Sequence, residues 1–182
     1  MKRDINSNGY IFLYSTVLVV IVASLLTAAA LWLQPYQQRN KENEKRAMIL
    51  AAAGLADGNI TFRDGDLPIY LVNDSITVIP MQGKGLWGPI WGYFAIAPDG
   101  STIIGANFDH KSETPGLGGE ITTEKFQSQF SGKQIREQGQ PVSVEFDAIT
   151  GATKTSDGVK EMIDNTLEAY APFLNKMKAT SR

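Results

Sequence analysis

The chain contains no cysteine and a single histidine, His110, among its 182 residues. Without cysteine it can form no disulfide, no thiolate nucleophile and no Cys-ligated zinc or iron–sulfur centre. We expect no metal site either, because His110, Asp109 and Glu113 would need further ligands that the neighbouring sequence does not supply. Any electron transfer by this chain therefore requires a borrowed cofactor.

Strong charge of either sign is also missing. The formal net charge is −2, and no basic cluster is interleaved with aromatic residues. These features give no electrostatic case for binding nucleic acid.

Charged residues are absent from Ile5 to Gln38. The apolar core of this run, Tyr10–Leu33, would be about 36 Å long as a helix, enough to cross a bilayer core of about 30 Å. We predict a transmembrane helix over residues 10–36, with aromatic residues suited to the two membrane interfaces at its ends: Tyr10, Tyr14, Trp32 and Tyr36.

A cleaved signal peptide is the alternative, because Ala28–Ala30 resembles a cleavage site. The apolar run is longer than a typical signal core and continues to Leu33, which favours a retained anchor. The count of basic residues leaves the orientation of the span open, with a mild preference for a cytoplasmic C-terminal side. Two basic residues precede the span and four follow it: Lys2, Arg3, Arg39, Lys41, Lys45 and Arg46.

The remaining sequence divides into a helical continuation with a linker, residues 37–66, and a compact domain, residues 67–182, behind an N-terminal segment of residues 1–9. Two Asp-Gly pairs, ending at Gly58 and Gly65, indicate a loop before the domain. The alternation of apolar and polar residues predicts strands at 68–73, 75–81, 90–97, 102–109 and 142–149.

Two helices complete this α+β prediction. A short one covers residues 122–130, with Thr122 or Thr123 as its cap, and an amphipathic one covers residues 156–177. The inner face of the second carries apolar residues at helical spacing: Val159, Met162, Ile163 and Leu167. A hairpin turn at Pro98–Gly100 joins two of the strands.

Two glycine-rich segments have both a structural and a functional interpretation. Residues 83–88, GKGLWG, match the dinucleotide pattern, but Pro89 and a strand follow instead of the required helix. Trp87 and Trp91 beside this turn are core or interfacial aromatics, or a platform beside a planar cofactor or against a partner subunit. The loop at residues 109–121 is a good turn, or its glycines (Gly116, Gly118 and Gly119) let backbone amides approach a ligand.

Four hydroxyl side chains crowd the stretch before the last helix: Thr150, Thr153, Thr155 and Ser156. A helix start needs one cap, for which Thr155 or Ser156 is placed correctly. Thr153 lies just before the predicted helix, where free N–H groups and the helix dipole favour a phosphate. Gly151 and Ala152 would leave Thr153 accessible to a modifying enzyme, although an ordinary cap remains the simpler interpretation.

The same residues carry a family resemblance. Residues 147–153, DAITGAT, resemble the flavinylation motif Asp-x-x-(Ser/Thr)-Gly-Ala-Thr of FMN-binding domains. This family includes the C subunit of the sodium-translocating NADH:quinone reductase and the G subunit of the Rnf complex. The segments NSNGYIFLYSTVLVVIVA, GKGLWGPIWGYFAI and HKSETPGLGGEI support the resemblance in the expected order and favour the former of the two.

The resemblance implies that FMN is joined to Thr153 through a phosphoester, placed there by a flavin transferase that takes it from FAD. Asp147 would belong to the recognition motif. The implied cofactor-binding residues around Thr153 are Thr150, Gly151, Ala152 and Thr155 in the motif, Thr114, Leu117 and Gly118 in the glycine-rich loop, and Trp87.

The implied function is electron relay within a membrane NADH:quinone oxidoreductase that pumps sodium, with no independent catalysis by this chain. Its partners would be the other membrane subunits. Family topology implies an inner-membrane protein with a periplasmic flavin domain, against the lean of the charge count. The alternatives are an Rnf G subunit, a stand-alone flavoprotein reductase, and a membrane-tethered binding module without a redox role.

Overall fold

The computed structural model describes residues 8–65, 67–135 and 143–180. The basic pair Lys2 and Arg3 and the start of the supporting segment at Asn6 lie outside these residues. The chain divides into two compact units between Glu44 and Lys45.

The first helix, α1 (Asn8–Ala52), supplies the candidate membrane span. It is long and apolar enough to cross a membrane, and the side chains of its apolar part are exposed within the chain. Aromatic pairs lie towards both ends of that part, Tyr10 with Tyr14 and Trp32 with Tyr36, with ring centroids 6.4 and 6.3 Å apart. Such pairs suit the two water–lipid interfaces. The predicted span and the helical continuation predicted after it belong to this one helix.

Helix α1 ends in a Schellman motif. Gly54 adopts a left-handed φ of 70°. The N–H of Leu55 bonds to the Leu50 carbonyl oxygen at 2.9 Å, and the N–H of Gly54 bonds to that of Ala51 at 3.0 Å. These bonds satisfy carbonyls that the helix end leaves without an intrahelical partner.

Five antiparallel strands follow in the order β1-β2-β3-β4-β5, so each strand pairs with its neighbour in sequence. Their bounds are Ile60–Arg63, Ile69–Val72, Ile76–Lys84, Pro89–Ile96 and Ile103–His110. Strands β2 to β5 confirm the prediction, as does the turn at Pro98–Gly100. The interpretation of residues 56–68 as loop was wrong, because this stretch contains the short and mostly exposed β1.

The sheet buries both faces. Along β4 the side chains alternate, with Phe94 and Ile96 on one face and Tyr93 and Ala95 on the other. The first face packs against the closing helix α3 (Thr153–Thr180), through the predicted inner-face residues. The second face packs against the end of α1, around Ile49. The α+β fold is therefore confirmed.

The predicted strand at residues 142–149 was wrong for its described part, residues 143–149, whereas Val142 lies outside the description. Val144 and Phe146 do pack into the core, as the alternation of apolar residues suggested. The start of the outer edge of β5 is occupied, however, since Ile103 exchanges backbone hydrogen bonds with Gly132 and Lys133. The segment therefore finds core contacts but no strand partner.

Short helical turns connect β5 to this segment. They are a 3-10 helix at Gly118–Thr122, α2 at Glu124–Gln127 and a 3-10 helix at Ser128–Phe130. This agrees with the predicted short helix, and Thr123 occupies its cap position. The hydroxyl of Thr123 donates to the Glu120 carbonyl oxygen at 2.7 Å and does not cap α2.

Helix α3 begins at Thr153, three residues before the predicted start, and passes close to the β3–β4 hairpin at Gly158. A β-carbon added to Gly158 would overlap the carbonyl oxygen of Lys84. Alanine is favoured over glycine in a helix interior by about 1 kcal/mol. We nevertheless expect Gly158→Ala to lower the free energy of unfolding by about 1–3 kcal/mol, because the backbone of the hairpin cannot retreat cheaply.

Denaturant unfolding of the full chain in detergent, followed by tryptophan fluorescence, measures this effect. The exposed Glu161→Ala on the same helix is the control and should stay within about 0.5 kcal/mol of the parent chain. A Gly158→Ala chain as stable as the parent would contradict the tight helix–hairpin contact.

Candidate functional site

Burial divides the hydroxyl cluster into two pairs. Thr155 and Ser156 are 1% and 3% exposed, whereas Thr150 and Thr153 are exposed. Because α3 begins at Thr153, the expectation that Thr155 or Ser156 caps the helix was wrong. Both of these residues lie inside its first turn.

Ser156 ties the first turn of α3 to the segment before it. Its Oγ accepts the N–H of Ile149 at 3.0 Å and donates to the carbonyl oxygen of Ala152 at 3.1 Å. Between them, Gly151 adopts a left-handed φ of 79°. The left-handed conformation favours glycine, and a β-carbon there would press on Leu117 Cδ2 at 3.1 Å.

Thr153 is the first residue of a 28-residue helix. A hydrogen bond of 3.0 Å joins the Ser156 N–H to the Ala152 carbonyl oxygen across the first turn. Residues 153–155 precede this donor, so the helix itself offers their N–H groups no acceptor. An exposed hydroxyl thus stands at the positive end of a long helix, where an attached phosphate is stabilised.

Glu113 connects this helix start to two other segments. Its side chain is 4% exposed. Oε2 accepts the hydroxyl of Thr155 at 2.5 Å, and Oε1 accepts the backbone N–H of Trp87 at 2.8 Å. Burial by itself raises the pKa of Glu113, but hydrogen bonds from Thr155 and from the backbone of Trp87 and its two neighbours lower the pKa below its ordinary value. The carboxylate is therefore ionised at neutral pH.

Two glycines make room for this carboxylate. A β-carbon on Gly85 would lie 2.6 Å from Oε1. A β-carbon on Gly118 would lie 2.5 Å from both Oε2 and the Thr155 Oγ1. The hairpin turn, the glycine-rich loop and the start of α3 consequently meet at the side chain of Glu113.

The glycine-rich loop is fixed by its own backbone. The carbonyl oxygen of Thr114 accepts the N–H groups of Leu117 and Gly119 at 3.1 and 2.9 Å. The loop presents Leu117, 42% exposed, beside Gly151. The structure thus brings the loop candidates and the motif candidates together.

Trp87 lies in the turn between β3 and β4, and its side chain is 66% exposed. The interpretation of this residue as a core aromatic was therefore wrong. No helix follows the turn, which contradicts a dinucleotide-binding motif. The N–H of Trp87 bonds to Glu113, which in turn bonds to Thr155 at the start of α3. The indole of Trp87 is exposed to solvent.

Asp147, the first residue of the DAITGAT motif, lines a separate cleft. Its N–H bonds to Gln129 Oε1 at 2.7 Å, and Gln129 Nε2 donates to its carbonyl oxygen at 3.4 Å. The cleft has a volume of about 490 Å³ and is lined by Glu120, Thr123, Lys125, Phe126, Gln129, Asp147, Ala148, Ile149 and Thr150. The Asp147 carboxylate and the Thr150 hydroxyl are exposed there.

Glu113 is the residue that sequence reasoning missed, since it was weighed only as a metal ligand. Its N–H also bonds to Nδ1 of His110 at 3.2 Å, so this histidine holds the loop from its other side. One sequence signal could have identified Glu113. It directly precedes the Thr-Pro-Gly turn, and a carboxylate buried at such a turn needs several donors.

These residues fit FMN. The first turn of α3 suits a phosphate, the exposed Thr153 hydroxyl suits a phosphoester, and Leu117 and Trp87 offer apolar surface for a planar ring.

Comparisons with known proteins support an FMN-binding domain. Residues 85–168 match the model of the FMN-binding domain family. The chain is 38% identical over 130 residues to the C subunit of the Na(+)-translocating NADH-quinone reductase of Pasteurella multocida, covering 61% of this chain and 50% of that relative. It is 33% identical over 162 residues to the corresponding C subunit of Vibrio vulnificus, covering 79% of this chain and 64% of that relative.

The fold also matches a solved structure. The crystal structure of the Na(+)-translocating NADH-quinone reductase C subunit from Parabacteroides distasonis is 29% identical, with a TM-score of 0.66, and the match covers 78% of this chain and 96% of that one. The chain spans about half to two thirds of the length of the two relatives named above. By fold and sequence, residues 85–168 belong to the FMN-binding domain family, and the chain is similar over most of its length to the C subunits of the Na(+)-translocating NADH-quinone reductase.

Proposed function

We propose that this protein is an electron-relay subunit of a membrane sodium-translocating NADH:quinone oxidoreductase and carries FMN covalently linked to Thr153. The observation that carries the proposal is the position of Thr153. It is an exposed hydroxyl at the first residue of α3, between Gly151 and the Thr155 that bonds to Glu113. The relatives reported above are all C subunits of the Na(+)-translocating NADH-quinone reductase by name, which favours this complex over the Rnf complex.

Burial supports Thr153 over two of its three neighbours. The hydroxyls of Thr155 and Ser156 are buried and already donate, to Glu113 and Ala152 respectively. Thr150 is exposed, but it precedes the left-handed Gly151 and lies outside the helix. Of the four, Thr153 alone combines exposure with the first turn of a long helix, where the dipole stabilises a phosphodiester anion.

The attachment is a group transfer from FAD by a separate flavin transferase. Oγ1 of Thr153 attacks the phosphorus on the FMN side of FAD, forming a phosphoester bond. The bond from that phosphorus to the bridging oxygen breaks, AMP leaves with the oxygen, and the hydroxyl proton passes to the transferase or to water. Asp147, exposed beside the cleft, is proposed as part of the surface that the transferase recognises.

Bound FMN would supply the ability to accept and pass on electrons. The protein fixes the phosphate at α3 and presents Leu117 and Trp87 towards the ring. Thr114 and Gly118 shape the loop beneath Leu117. The tether prevents loss of the cofactor, which matters for a domain that we place on the periplasmic side of the membrane. The other membrane subunits of the complex would supply and receive the electrons.

Replacing Thr153 by valine should abolish covalent loading while leaving the fold intact, because the exposed side chain loses only its hydroxyl. Each chain is co-expressed with a flavin transferase and analysed by intact mass and by flavin fluorescence in a denaturing gel. The parent chain should gain the mass of FMN less one water, and Thr153→Val should gain none.

Thr61→Val, which changes an exposed threonine on β1 outside the motif, is the matched control and should load as the parent does. Thr150→Val is made as well, because Thr150 is the other exposed hydroxyl of the cluster. Flavin on Thr153→Val but not on Thr150→Val would move the attachment to Thr150. An unmodified parent chain, with the transferase active on another substrate, would favour the membrane-tethered binding module without a redox role.

The absence of cysteine makes the orientation directly measurable. Glu168, exposed on α3, is replaced by cysteine in one chain, and Lys2 in another. A membrane-impermeant maleimide applied to cells with a permeabilised outer membrane should label Glu168→Cys, and should label Lys2→Cys only after lysis. The reverse pattern would place the flavin domain in the cytoplasm, as the basic residues after the span suggest.

A further inference from the structure

We propose that Glu113 is the positioning residue of the flavin site, holding the Trp87 turn, the glycine-rich loop and the start of α3 in one arrangement around Thr153. That the site binds FMN rests on the proposed function, whereas the contacts that support the role of Glu113 lie within the chain. Glu113 lies 26 residues from Trp87 and 42 residues from Thr155 in sequence. One side chain therefore joins three segments that the sequence separates.

The two carboxylate oxygens of Glu113 bond to different segments. Oε1 bonds to the turn and Oε2 bonds to the helix. The space around them is closed on two sides by Gly85 and Gly118, where even a methyl group would collide with the carboxylate. A shift of Glu113 thus has to move the turn, the loop or the first turn of α3.

The charge of this carboxylate is balanced by dipoles. Within the described residues, the ion pairs are Arg46 with Asp57 and Lys160 with Asp164, and neither involves Glu113. Its partners are backbone N–H groups of the turn and the hydroxyl of Thr155, the third residue of α3, at the positive helix end. These dipoles are directional, so the anion is stable only while turn and helix keep their present orientation.

The consequence for the flavin is indirect. Leu117 lies beside Gly151, and Trp87 is joined to the site through its N–H bond to Glu113. Both are proposed to contact the ring, and Thr153 is proposed to carry the phosphoester. Because Glu113 fixes the backbone of all three segments, it sets the surroundings of the ring without contacting the reacting atoms. Changing the link between Glu113 and α3 should therefore alter the redox potential and the visible circular dichroism of the bound flavin.

The test removes one hydroxyl and then restores it. Full-length chains in detergent, loaded by a co-expressed flavin transferase, carry Thr155→Val or Thr155→Ser. The control is Thr166→Val, which removes a hydroxyl that bonds only along α3, to the Met162 carbonyl oxygen. We expect Thr155→Val to shift both the midpoint potential and the visible circular dichroism beyond replicate spread, while Thr155→Ser and Thr166→Val match the parent.

Amide hydrogen exchange on chains made without the transferase tests the same link without FMN. Thr155→Val should speed exchange in the Trp87 turn and the glycine-rich loop, and Thr166→Val should not. Unchanged exchange at both segments overturns the proposal. Faster exchange with an unchanged potential and circular dichroism also overturns it, because the role would then be structural only.

If Thr155→Val does not fold, Glu113→Asp replaces it. It keeps the charge but is too short to reach both Trp87 and Thr155, and the same outcomes apply. Failure of the proposed function appears separately, as a parent chain that carries no flavin, and in that case the inference about the ring falls with it.

Discussion

The hydrogen bond between the Thr155 hydroxyl and the buried Glu113 carboxylate is the interaction on which the site depends. An ionised carboxylate removed from water is costly unless several donors surround it. Here the donors come from a turn and a helix start that are distant in sequence, so satisfying one charge fixes the tertiary arrangement. Glycine at positions 85 and 118 follows from the same requirement, because the carboxylate occupies the space of their side chains.

The sheet explains why these segments meet. Its strands pair in sequence order, so the β3–β4 turn and the residues after β5 lie at the same end. Helix α3 covers one face of the sheet and begins at that end, where Gly158 lets it approach the Lys84 carbonyl oxygen. The site thus combines two loops with the positive end of a helix, without any segment of unusual length.

Much of this was predictable from local pattern. The apolar span, four of the five strands and the inner face of α3 follow from the spacing of apolar residues. The hydroxyl cluster and its Gly-Ala pair were correctly located near the start of a helix, although Thr153, Thr155 and Ser156 lie inside its first turn and not in front of it. Three errors share one cause: β1, the segment at residues 143–149 and the start of α3 depend on which backbone groups find partners. Residues 143–149 alternate as a strand does, but they find no strand partner, and residues 132–133 occupy the start of the outer edge of β5.

The sequence by itself determined the composition of the site: no thiol, one histidine, an uninterrupted apolar run, and a threonine-rich motif that resembles those of FMN-binding domains. Only the tertiary structure decided which hydroxyls are available. Thr155 and Ser156 look equivalent to Thr150 and Thr153 in sequence, yet the first pair is buried and hydrogen-bonded while the second is exposed. The physical reason is that burial, and for Thr155 also hydrogen bonding, depends on groups distant in sequence, such as Glu113, which the local pattern of residues does not reveal.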